Sequence, residues 1–394
     1  MINKIKYIKN ILNKYKSTYY SVFFISLLLA TLIFLSYGPT SKSFYQKIEW
    51  GDDLEQFTEA KILMKNPLQI FNINRYSAAA GTSTHYTPLL YVFWIPFLFF
   101  FNNNAIPYLI FGFVIHAINT ILLFFIILRL SKNKFASLLG STLFLLFPGN
   151  LITVEWISAS FLYTTATLFM FLTLLSFIKY LDAKKRVYLF LSLIFYLFGC
   201  LTKQVFYPFF LILISYEVFI YNNDTLSVLK HNIKNVKELI KRHIPFILLS
   251  TIFVLIQLYR YKMGWIYQLK GGALFHPIIF YRLLDFLKEF LWPFNSNNYY
   301  LKFSLILLIF ISFYYLFFYS KNKLFRFSII WIFALGILPM TQFLRSIPES
   351  IRYIYVVSPG VFMLSSFLYV WKKWLVFIPL TLITIYFLIL YNVI

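Results

Sequence analysis

The sequence is poor in cysteine, in charge and in glycine. Its one cysteine, Cys200, lies within an apolar run, which excludes a disulfide framework and a thiolate metal centre and leaves a buried, inert thiol. Charged residues make up 12% of the 394, about half of the roughly 25% usual in soluble domains, and this excludes a water-soluble globule. With 12 glycines in the whole chain, no Gly- or Ser-rich linker separates domains, and no repeat of solenoid period is visible. A single membrane domain, residues 1–394, accounts for the chain.

What the sequence has instead is apolar surface: 60% of residues are hydrophobic and 22% aromatic. Apolar runs such as Tyr19 to Leu35, Ile106 to Leu128 and Leu301 to Tyr319 are of membrane-crossing length. In lipid every backbone polar group must be satisfied within the protein, so helices are the expected elements. The fold class read from the sequence is an all-α, polytopic integral membrane protein of roughly eleven transmembrane helices. They are expected near 18–37, 106–128, 135–149, 157–179, 187–201, 204–221, 244–260, 302–319, 325–343, 352–370 and 374–391.

The net charge of +23 sits in short Lys/Arg clusters between these runs. That pattern follows the positive-inside rule rather than nucleic-acid binding. With the basic residues 1–17 in the cytoplasm, most Lys and Arg fall inside, and the protein reads as a multi-pass protein of the cytoplasmic membrane. The short apolar stretch Pro88 to Phe101 would invert this balance if it crossed, so it reads as an interfacial helix within a first outer loop, 38–105. A second large outer loop is expected at 261–301, and 222–242 reads as a cytoplasmic amphipathic helix.

Glu49, Asp52, Asp53, Glu55 and Glu59 crowd the start of the first outer loop. Close like charges raise one pKa of such a pair, which suits a general base or a divalent-cation site; a solvated loop or a helix N-cap is the alternative. Several cations are expected near the same interface: Lys203, Arg260, Lys262, Lys270, Arg345 and Arg352. Lys203 stands between two apolar runs, and a charge so placed marks function by default. Arg352, beside Tyr353 and Tyr355, suits bidentate phosphate binding, or a snorkelling anchor. His85, His116 and His276 lack metal-ligand spacing and read as structural. Trp50, Trp156, Trp265 and Trp292 fit an aromatic belt, with sugar stacking the alternative for Trp50 or Trp156.

Taken in order, these residues resemble the landmarks of the C-fold membrane glycosyltransferases, in particular the protein O-mannosyltransferase-like branch. Asp52-Asp53 matches that family's acidic pair in the first outer loop. His85-Tyr86-Thr87-Pro88-Leu89 stands where it has Tyr-Arg-Pro-Leu, with Thr87 for the Arg. His116 and Asn119 match a His and Asn of its second span. Pro148 and Trp156-Ile157-Ser158 match the next element, with Asn150 and Ile152 in place of its His and Glu and with Glu155 close by. Thr202-Lys203-Gln204 stands for Ser-Lys-Glu. Arg352, Tyr353, Tyr355, Ser358 and Gly360 match a late Arg-Tyr-x-Tyr-x-x-Ser-x-Gly element.

The resemblance implies an inverting transferase that takes a sugar from a polyprenyl-phosphate donor to a hydroxyl of a glycan, lipid or protein acceptor at the outer face. Asp52 would be the general base, and Asp53 would position the acceptor or a metal. Lys203, Arg352 and Arg345 would hold the donor phosphate, and His85, Tyr86, Glu155, Trp156 and Tyr353 would line the substrate pocket. No cofactor is called for; a divalent cation, Mg or Mn, would sit at Asp52 and Asp53 if one is used. The rival readings are a transporter or flippase of lipid-linked glycans, a glycan polymerase or ligase, and a silent scaffold.

Overall fold

A computed structural model describes residues 48, 51–75, 85–221, 233–263, 322–342 and 347–376. Every regular element among them is helical, with no strand among the described residues. We number the helices α1 (Gly51–Lys65), α2 (Pro88–Phe101), α3 (Ala105–Ser131), α4 (Lys134–Leu146), α5 (Pro148–Glu155), α6 (Ile157–Ala183), α7 (Arg186–Thr202), α8 (Gln204–Tyr221), α9 (Ile233–Met263), α10 (Lys323–Gln342) and α11 (Ile347–Trp371). Among the described residues five helices are long and apolar enough to cross a membrane, α3, α6, α8, and most of α9 and α11, or six if the bent pair α4–α5 is one span. The protein is therefore a polytopic helical membrane protein. The spans expected near 18–37 and 302–319, and nearly all of that near 374–391, lie outside the described residues, as do Trp50, Trp265, Lys270, His276, Trp292 and Arg345.

Pro88 opens α2, where its missing N–H is no loss. At 14 residues the helix is about 21 Å long, short of a roughly 30 Å hydrocarbon core. It packs on α1, burying Leu90, Tyr91 and Trp94 while Phe99 and Phe100 stay exposed. The segment expected to be an amphipathic surface helix at 222–242 is described only from residue 233. There it runs without a break into the span expected at 244–260, through Pro245. It is not a separate element, because Arg242 and His243 tie it to Glu217 of α8.

The breaks between helices have local causes. Phe147, held extended at φ −66°, ψ 121° by the proline that follows, ends α4, and the α4–α5 pair bends by 52° there. Asn150 donates to the freed Phe144 carbonyl at 2.8 Å and accepts from the Ser358 hydroxyl of α11 at 2.9 Å. Ser160–Thr164 of α6 is a π-helical turn, whose Thr164 carbonyl takes the Asn119 amide at 2.8 Å. Gly360 lets α11 lie against α10, since a Cβ there would meet the Ser328 carbonyl and Trp331 ring at 3.0 Å.

Candidate functional site

The site is assembled where three helix ends meet. Gly51 starts α1 with φ 55°, a left-handed conformation that suits glycine. Asp52 and Asp53 then occupy the first turn, where the helix dipole favours negative charge. Trp156, extended at φ −83°, ψ 105°, separates α5 from α6. The first N–H groups of α6 therefore lack intrahelical partners. One of them, Ser158 N–H, donates to Asp53 Oδ1 at 2.7 Å.

Asp53 is thus a buried cap that fastens α1 to α6. Burial pushes its carboxyl up to about 6, against the Ser158 hydrogen bond and with a smaller push from Asp52. Its neighbour has a different partner. Arg352, in the second turn of α11, donates from Nη1 to Asp52 Oδ2 at 2.7 Å, and its guanidinium lies 4.4 Å from the centre of the Trp156 ring. Asp52 is the more accessible of the pair, its side chain 39% exposed against 15% for Arg352. Arg352 thus occupies one oxygen of Asp52, and Ser158 N–H one oxygen of Asp53. Among the described residues there is no group of three or more His, Cys, Asp and Glu that could hold a metal.

The next residue of α11, Tyr353, meets Tyr163 edge to face at 5.1 Å, and Lys203 Nζ lies 5.5 Å from the centre of the Tyr163 ring. Lys203 sits in the break between α7 and α8, extended at φ −160°, ψ 144°, and is 5% exposed. Its backbone N–H continues the turn to Gly199, 3.3 Å away. Its ammonium makes neither a hydrogen bond nor an ion pair with any described residue, yet it is not sealed from solvent. Burial, and then the charge of Arg352, push it down to about 7, with Asp52 opposing. Two cations and one accessible carboxylate therefore share a partly dehydrated place.

His85 joins this group through Gln204, whose amide donates to His85 Nδ1 at 3.0 Å. Tyr86 faces elsewhere: it is buried, its hydroxyl donates to the Phe71 carbonyl at 3.1 Å, and its N–H donates to Gln257 of α9 at 3.2 Å. In an extended stretch successive side chains point to opposite sides, which separates these two expected pocket residues. Glu155, the last residue of α5, is half-buried and touches none of the charged groups. Arg260 also leaves the group and holds the Ile73 carbonyl at 2.6 Å.

Behind the site, the expected structural histidine is one. A carbonyl can only accept, so His116 Nε2–H donates to Leu145 O at 3.1 Å, and Nδ1 accepts the Tyr355 hydroxyl at 2.7 Å. That oxygen in turn accepts from Asn119 at 3.1 Å. The chain of hydrogen bonds fixes α11 one turn beyond Arg352 and so sets where the guanidinium falls. Tyr163 and Ser158 N–H complete the site without having been singled out as site groups from the sequence. No protein-family model matches this chain, and no curated protein and no solved structure shows significant similarity to it.

Proposed function

We propose that the protein is a membrane glycosyltransferase that moves a sugar from a polyprenyl-phosphate donor to an acceptor hydroxyl, with inversion, at the outer face of the cytoplasmic membrane. The observation that carries this reading is Lys203: a buried ammonium without an anionic partner of its own, beside Arg352 and within reach of an accessible carboxylate. A lone buried cation is costly unless an anion completes it. A lipid phosphate arriving from the membrane is such an anion, and Arg352 can bind it bidentately.

In this mechanism the phosphate draws Arg352 away from Asp52, which frees the carboxylate to act. The acceptor O–H gives its proton to Asp52 while its oxygen attacks the anomeric carbon. The bond from that carbon to the phosphate oxygen breaks, and polyprenyl phosphate leaves with the bonding pair. Lys203 and Arg352 take up the negative charge that develops on it, in a place where water screens little. Asp53 holds the start of α1 against α6, so that Asp52 stays aimed.

The test is sugar transfer in membranes supplied with radiolabelled polyprenyl-phosphate sugars, comparing wild type with Asp52→Asn at matched expression. Label reaching lipid, glycan or protein only with Asp52 intact supports the reading. A donor that is bound but never consumed would turn it to a flippase of lipid-linked sugars.

A further inference from the structure

Glu155 is an anomaly that the proposed chemistry does not use. It ends α5, where the carbonyl end of the helix repels negative charge. It is half-buried, yet among the described residues its carboxylate makes no hydrogen bond and no ion pair. Neither oxygen is among the sealed, unpartnered side-chain atoms of the described residues. Among the described residues no cation pairs with this carboxylate, and burial raises it to about 7. The Asp53 carboxylate is buried more deeply but has Ser158 N–H, and Glu59 has Arg75 at 3.2 Å.

Its place is also specific. The residue that follows, Trp156, lies against Arg352, and Ser158 two positions further holds Asp53. α5 itself packs on α11, the helix that carries Arg352. Glu155 therefore stands on the same rigid turn that borders the cation pair, without belonging to its ion pairs. A carboxylate accepts hydrogen bonds only, and its two oxygens match a pair of neighbouring hydroxyls. The adjoining indole of Trp156 is half-buried and has the Arg352 guanidinium over its ring, 4.4 Å from the centre.

We infer that Glu155 recognises the donor's sugar, accepting hydrogen bonds from two adjacent ring hydroxyls while Lys203 and Arg352 hold the phosphate. The inference rests on the transferase reading and divides that site into a phosphate half and a sugar half. Glu155 is then a specificity-determining residue, not the base.

The experiment uses the full chain in nanodiscs and follows tryptophan fluorescence during titration with two kinds of lipid. One is plain polyprenyl phosphate; the other is polyprenyl phosphate carrying glucose, mannose or galactose. Wild type should bind at least one sugar-bearing lipid more tightly than the plain one. Glu155→Gln should weaken that binding about tenfold or more, the scale of a lost charge-assisted contact, and leave plain polyprenyl phosphate within about twofold. The plain lipid doubles as the check that the variant is folded. Lys203→Met should weaken both lipids alike. Equal sugar-lipid binding by wild type and Glu155→Gln, or an equal loss of both lipids in that variant, overturns the inference and leaves the transferase reading standing. A wild type that binds neither lipid overturns the transferase reading and this inference with it.

Discussion

Two groups of buried charge lie at the two ends of α8, and they differ in how completely they are paired. Near its C-terminal end, Glu217 is saturated: Oε1 takes Arg242 at 2.5 Å and Oε2 takes His243 at 3.0 Å. Arg242 also reaches Glu238 at 3.7 Å. Just before its first residue, Lys203 has no ion pair among the described residues, and the nearby carboxylate of Asp52 is bound to Arg352. The saturated group joins α9 to α8 through both oxygens of Glu217. In the proposed reading an arriving anion completes the open group, and that difference would separate a functional cluster from a structural one.

The largest expected effect tests the open group directly. Asp52→Asn and Lys203→Met should each lower transfer by about 100-fold or more; Lys203→Met should unfold as late as wild type or later, whereas Asp52→Asn, which takes the carboxylate from Arg352, should unfold earlier. Removing an unpaired buried ammonium relieves a cost rather than creating one. Glu217→Gln should behave in the opposite way. It strands Arg242 and His243, and stability should fall by about 3 kcal/mol; whatever fraction remains folded should keep wild-type donor affinity. If Lys203→Met unfolds the protein while Glu217→Gln does not, the assignment of the two clusters is reversed.

Next in size is the response to pH. In the proposed reading Lys203 binds phosphate as the ammonium, and burial pushes it down to about 7. Donor affinity should therefore decline as pH rises through about 7 to 8, and Lys203→Arg should remove that decline, because a guanidinium stays charged. Stability runs the other way. The folded pKa lies below the ordinary 10.5, so the group's contribution is fully present above 10.5 and is lost as pH falls toward 7. Titrations of donor affinity and of melting temperature on one preparation would check both slopes.

Much of this contrast is legible in the sequence, for a physical reason. Lys203 is a charge set between apolar runs, which is conspicuous in lipid before any fold is known, while Asp52 stands out as half of an adjacent acidic pair and Arg352 as a cation beside interfacial tyrosines. The helical class and the long spans follow from the same apolar composition. Tyr163 is not legible: it is one of 31 tyrosines inside an apolar run, and a π-helical turn determines which way its ring faces. The Ser158 N–H is a backbone group that any residue would supply, made available by the break at Trp156. His85 and Tyr86 read as one pocket motif, but extended backbone turns one toward Gln204 and the other toward Phe71.

The smallest expected effect separates the two neighbouring acids. Asp53 is a carboxylate whose folded pKa, about 6, is raised above the ordinary 3.8 by burial. Its contribution to stability is therefore fully present below 3.8 and is lost as pH rises through 6. Asn at this position keeps an oxygen for the Ser158 N–H and never ionises. Asp53→Asn should thus match wild type near pH 4 and exceed it near pH 8 by on the order of 1 kcal/mol. Asp53→Ala, which lacks the acceptor, should be less stable than Asp53→Asn by about 1 kcal/mol at either pH. Transfer by Asp53→Asn should stay within about tenfold of wild type, whereas Asp52→Asn loses far more. Should Asp53→Asn instead abolish transfer while melting as expected, the buried acid is the one that takes the acceptor proton, and Asp52 serves only to hold Arg352.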